Sequence, residues 1–170
     1  MINLKTIFAL ALLSLGSVPA FAAGKVVIFN FEKAILSTEA AKKVSADLQA
    51  NAEFAAMQAK YEGIVADLEK LRDEQMSKGM TWNADQQAEH RKKVEYLRAD
   101  LELAQKKIQA EQNAAVRSLL GEFEGKTKQV LNEVIQAEGI AIVLNAQSVY
   151  YAEPSADITA MVTEKLNKMK

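Results

Sequence analysis

Two proline-free stretches, one from about Glu39 to Lys78 and one from about Ala84 to Ala137, constrain this chain more than anything else in it. In the first, Phe54, Met57, Tyr61, Ile64, Leu68 and Leu71 recur at spacings of three, four, three, four and three. In the second, Val94, Leu97, Leu101, Ala104 and Ile108 repeat the pattern. An apolar repeat of about 3.5 residues lets one helix wrap along another. Gly79 is expected to end the first helix. Asn83, followed three residues later by Gln86, resembles a capping box opening the second. Two helices joined by so short a connection lie antiparallel. About forty residues at a rise of about 1.5 Å make each arm roughly 60 Å long. Near the root the seam shifts register: Val44 and Leu48 fall outside it, and Leu119 and Phe123 resume a stripe after a second shift.

The flanking segments read differently. Lys25–Phe31 is short, β-branched and aromatic, hence a strand, and its near-continuous apolarity suggests burial on both faces. Glu32–Ser37 reads as a helical turn, with Ser37 or Thr38 able to cap the next helix. Gly139 closes the second long helix. Ile140–Leu144 reads as a second strand and Ser148–Tyr151 as a third, with Asn145-Ala146-Gln147 suiting an antiparallel hairpin. Asp157 can cap a last helix that places Ile158, Met161, Val162 and Leu166 on one face. The expected fold is mainly α with a small β body: a long antiparallel helical hairpin arm projects from a strand-based oligomerisation domain. Residues 23–38 and 138–170 form that discontinuous body, and residues 39–137 form the arm, with its tip near 79–83. Three short strands and one short helix give little core, and such a body usually needs partners. Strand edges and an apolar helix face supply the surfaces. Val27, Phe29, Ile140, Ile142, Leu144, Val149 and Tyr151 are the candidate residues of the oligomer body.

Met1–Ala22 reads as a secretory signal peptide. Lys5 supplies the positive charge, Ile7–Leu15 is an apolar run too short to span a bilayer, and Ala20-Phe21-Ala22 is a cleavage site. Removing it leaves 20 basic against 22 acidic residues. Near-neutral charge gives no general attraction to nucleic acid, so nucleic acid is not an expected partner. The absence of cysteine excludes disulfides, thiol catalysis and thiolate metal sites. Twenty-eight alanines and an aromatic content of 6% fit long helices better than a large globular core. Between Lys42 and Arg117 there are 13 basic and 13 acidic residues, the balance of a solvated helical surface.

Several residues on the arm are candidates for contact. Met76, Met80, Trp82 and Tyr96 are adaptable or amphipathic and suit transient apolar contacts. At the tip, client or weak membrane-surface contact competes with local packing; Met57 and Tyr61 belong more naturally to the seam. Arg91, Lys92 and Lys93 are candidates for anion contact or simply a solvated face. His90 is the single histidine and reads as an exposed arm residue. No nucleophile–histidine–acid set, phosphate-binding glycine loop or paired acid/base site can be assembled. No enzyme activity, metal or cofactor is expected. Gly63, Gly121 and Gly125 are expected to mark points where the arms can splay, with close helix packing as the alternative.

The order of elements, together with Lys25-Val26-Val27-Ile28-Phe29-Asn30, Gly139-Ile140-Ala141-Ile142-Val143-Leu144-Asn145-Ala146, Val149-Tyr150-Tyr151 and Asp157-Ile158-Thr159, resembles the Skp (OmpH-like) family of periplasmic chaperones. The resemblance implies a homotrimer whose arms surround a cavity. Unfolded outer-membrane proteins would be held there in the periplasm without nucleotide. Well-known members are strongly basic, whereas this chain carries a net charge of −1. The competing class is a structural coiled-coil adaptor or spacer of the cell envelope.

Overall fold

The computed structural model describes residues 24–169; the signal peptide expected at 1–22 lies outside them. A small sheet and short helices gather at the root of a helical hairpin, where its two chain ends meet. Strand β1 (Lys25–Phe29) is followed by helix α1 (Phe31–Leu36), α2 (Glu39–Ala50), α3 (Ala52–Lys78) and the long α4 (Ala84–Glu138). Strand β2 (Ile140–Asn145) and helix α5 (Thr159–Lys168) complete the order.

The caps show why the helices begin and end where they do. The Asn30 side chain accepts from Lys33 N, and the Thr38 hydroxyl accepts from Ala41 N. At the arm tip Asn83 and Gln86 exchange two hydrogen bonds of 2.9 Å, satisfying two otherwise orphaned N–H donors of α4. Gly139 ends α4 in the left-handed conformation at φ 62°, which glycine adopts without a Cβ penalty. Gly79 ends α3 as expected, though not in the left-handed conformation. Its φ is −56°, and the chain tightens into a 3-10 turn over Gly79–Thr81 rather than closing with a left-handed residue.

The helix expected to run unbroken from Glu39 to Lys78 is interrupted at Asn51. This residue is extended (ψ 125°), and its side-chain oxygen accepts from Glu53 N at 2.8 Å and Phe54 N at 3.1 Å. An asparagine can hydrogen-bond the backbone in a non-helical conformation, so it ends one helix and caps the next without proline or glycine.

The two strands pair in parallel, Val26 with Ile142, Val27 with Val143 and Ile28 with Leu144. The expected third strand and antiparallel hairpin are not formed. Ala146–Ser148 is a 3-10 turn held by the Asn145 side chain accepting from Gln147 N at 2.9 Å. That local bond competes with a ladder. The other side of β1 is taken by a bridge between Ile28 and Asp157, with Ile158 N donating to Ile28 O at 3.1 Å. Val149 is half-buried while Tyr150 and Tyr151 stand out from the surface.

The core lies at the root. Val27 and Phe29 from β1, Ala34 and Ile35 from α1, Leu119, Phe123, Val130 and Val134 from α4, and Val162 and Leu166 from α5 form one buried cluster. The root end of α4 is therefore both arm and body. Thr163 fastens α5 to α1 through a 2.9 Å hydrogen bond to Ala34 O.

Asp157 joins this junction by accepting from Thr159 N at 2.8 Å. Burial pushes its carboxyl up, but the hydrogen bonds from Thr159 and the nearby Lys33 charge outweigh that and hold it below 3.8. A group with a depressed folded pKa stabilises the fold while ionised. Its contribution is complete above the unfolded value and disappears as pH falls through the folded one. Asp157→Asn keeps an acceptor for Thr159 N but removes the charge at the start of α5, and is expected to lower stability at neutral pH by about 0.3–1 kcal/mol. The gap to the parent should close in melts run below pH 3.8.

A methyl group added at Gly121 or Gly125 would meet nothing within 4 Å, so neither glycine serves close packing inside the chain. The double replacement Gly121→Ala/Gly125→Ala is expected to stabilise α4 by up to about 1 kcal/mol per site. If these sites allow splaying, small-angle scattering of the variant will show a narrower spread of arm separations. An unchanged spread contradicts the hinge.

Candidate functional site

Two surfaces result from this architecture, one at the root and one along the arm. On the sheet, successive side chains alternate between faces. Val27, Phe29 and Val143 turn towards the core. Val26, Ile28, Ile142 and Leu144 share the opposite face, where Val26 is 53%, Ile142 50% and Leu144 42% exposed. The apolar run that suggests burial on both faces is thus covered by the chain's own core on only one. Tyr150 and Tyr151, further along the chain, are exposed, and the Tyr151 hydroxyl donates to Glu153 at 2.6 Å, a bond that raises its pKa. Of the oligomer-body candidates, Val27, Phe29 and Ile140 are buried in the protomer, Val149 is half-buried, and Ile142, Leu144 and Tyr151 are on the surface.

The arm seam follows the sequence pattern. Phe54, Ile64 and Ala104 are buried, while Met57, Tyr61, Leu68, Val94, Leu97, Leu101 and Ile108 are half-buried. Charges lie outside it in single-helix pairs, including Lys93–Glu89, Lys126–Glu122 and Lys106–Glu102. The lysine partner lowers the carboxyl pKa of Glu102, and Lys128 does the same for Glu124, first by hydrogen bonding and then by charge.

The tip is built differently from its sequence reading. His90 is buried, not exposed: its Nε2 lies 2.9 Å from Leu71 O, and its ring sits 4.6 Å from that of Trp82. The single histidine thus ties α3, the connection and α4 together. This tie depends on contacts between residues 19 apart, which periodicity does not reveal. Trp82 is half-buried against it, whereas Met76 and Tyr96 are 74% and 72% exposed and Met80 is fully exposed. Met80, Trp82 and Arg91 line one open hollow of about 410 Å³ with His90 and two glutamines. Arg91, Lys92 and Lys93 are all exposed, and Lys93 is paired with Glu89 at 3.0 Å.

Among the described residues no group of three or more histidine or acidic side chains is placed to hold a metal ion. No helix among them is long and apolar enough to cross a membrane.

The chain is 26% identical over 151 residues to a "Skp-like protein" of Pseudomonas aeruginosa PAO1, an alignment covering 89% of each. A solved structure from Caulobacter crescentus CB15, described as a candidate outer membrane chaperone (OmpH-like), aligns with a TM-score of 0.48 and 24% identity over 86% of each chain. The profile of the family described as outer membrane protein (OmpH-like) matches residues 25–166, which span the sheet, both arm helices and most of α5, and the chain therefore belongs to the OmpH-like family.

Proposed function

We propose that this protein is an ATP-independent periplasmic holdase. Three copies join through their roots, and unfolded outer-membrane proteins are held between the arms until they can insert. The observation that carries this reading is the form of the protomer: a long arm with a narrow seam, rooted in a body whose sheet leaves one apolar face uncovered. Membership of the OmpH-like family and the likeness to a Skp-like protein support it. Three small bodies that pool such faces gain the apolar burial that one lacks. The long arms offer dispersed apolar and charged contacts, which suit weak binding of many sequences and release without fuel. An unfolded β-barrel precursor exposes alternating apolar residues and unpaired backbone groups that drive aggregation.

The test is dilution of a urea-unfolded outer-membrane protein with and without the secreted form. Equimolar trimer is expected to suppress light scattering in the absence of nucleotide. Unchanged scattering would favour a coiled-coil adaptor or spacer.

A further inference from the structure

Open hollows lie at several points along the arm seam, and the one nearest the root differs from the others in having no charged lining. Beyond Ile108 the stripe on α4 shifts by one residue and runs through Gln112, Ala115 and Leu119, so an amide and a methyl separate Ile108 from Leu119. Opposite them α3 presents Phe54 and Gln58, and beyond the interruption at Asn51, α2 presents Val44 and Leu48. The missing seam volume becomes a cleft of about 320 Å³. Its floor is apolar, with Phe54 2% and Leu119 4% exposed. Gln49, Gln58 and Gln112 also line it. No charged side chain does, although this arm carries 26 charged residues between Lys42 and Arg117.

We propose that this cleft is a subsite for one apolar side chain of an extended, uncharged segment of unfolded polypeptide; the assignment rests on the holdase reading. The lining selects the occupant by its charge. An ionised segment entering here would give up hydration without meeting a counter-charge. A neutral strand with alternating apolar residues meets an apolar floor. Its unpaired backbone N–H and C=O groups meet carboxamides, each of which both donates and accepts. A strand of an unfolded β-barrel has this alternation. The same arm thus combines charged faces that stay solvated with one neutral place where a client side chain can leave water.

The test uses the full secreted chain and a fluorophore-labelled, urea-unfolded eight-stranded outer-membrane barrel as probe. Ala115→Trp fills the cleft from α4. It is expected to leave far-UV circular dichroism and native mass unchanged and to weaken probe binding about tenfold, equivalent to about 1.4 kcal/mol. Gln112→Glu and Gln112→Lys place either charge on the exposed rim, and both are expected to weaken binding. A photo-reactive side chain at position 112 should capture the probe. Should Ala115→Trp lose helicity, the two rim variants decide the matter. If the parent holds the probe but all these variants bind it with unchanged affinity, the subsite is overturned while the holdase reading stands. Capture of a second copy of this chain at position 112 instead of the probe also overturns it. Failure of the parent itself to bind the probe removes the holdase reading first.

Discussion

Ile142→Glu is expected to leave the protein monomeric and unable to protect an unfolded client. Ile142 sits on the uncovered face of the sheet, opposite Val26, and both are about half exposed in the isolated protomer. A carboxylate there keeps its hydration in a single chain, so the fold of the protomer should tolerate it. Between copies the same group would be buried among Val26, Ile28 and Leu144 equivalents without a counter-charge, a cost of several kcal/mol. Sedimentation velocity should show loss of the assembly, and light scattering of a diluted client should rise to the level seen without chaperone. A variant that remains trimeric and fully protective would move the interface away from this face.

Ile35→Ala is expected to cost about 2–5 kcal/mol. Ile35 is completely buried, in the same cluster as Val130 and Val134 of α4 and Val162 of α5. That cluster contains 12 buried residues in all, so the root has little packing in reserve. The expected loss is a large share of a typical domain stability of about 5–15 kcal/mol. The melting temperature should fall by about 5–20 °C, with assembly lost before most of the arm helicity. Met80→Ala, at a fully exposed tip position, should by contrast change stability by no more than about 0.5 kcal/mol. Equal effects of the two would contradict a core confined to the root.

The arm was legible because its signal is periodic and local. Apolar spacings placed both helices, and Asn83 with Gln86 placed the tip. Gly139 marked the end of α4 because only one residue type fits that backbone cheaply. The break at Asn51 is hidden because Asn113 and Asn132 sit inside α4 without breaking it, so the capping role depends on which conformation the backbone takes. The expected third strand does not form for a related reason. Val149-Tyr150-Tyr151 has strand composition, but the place beside β1 is filled by Asp157, a pairing between residues 129 apart. His90 was likewise placed on the surface because nothing in its neighbours in sequence reveals a bond to Leu71 O or a ring against Trp82. Of the root surface, the residues were legible but their division was not. Alternation along Val26–Phe29 says that two faces exist, and the register with β2 decides that Ile142 and Leu144 share the open one.

The register shift at the root was visible as Val44, Leu48 and Leu119 falling out of step. Its consequence, an uncharged cleft in a charged arm, requires four helices in place.

The most direct measurement is native mass spectrometry of the secreted form at micromolar concentration, alone and with one unfolded outer-membrane protein. Three copies alone, and three copies with one client bound, are the predicted masses. A stable, well-folded single subunit that stays unassociated and takes up no client would contradict the account.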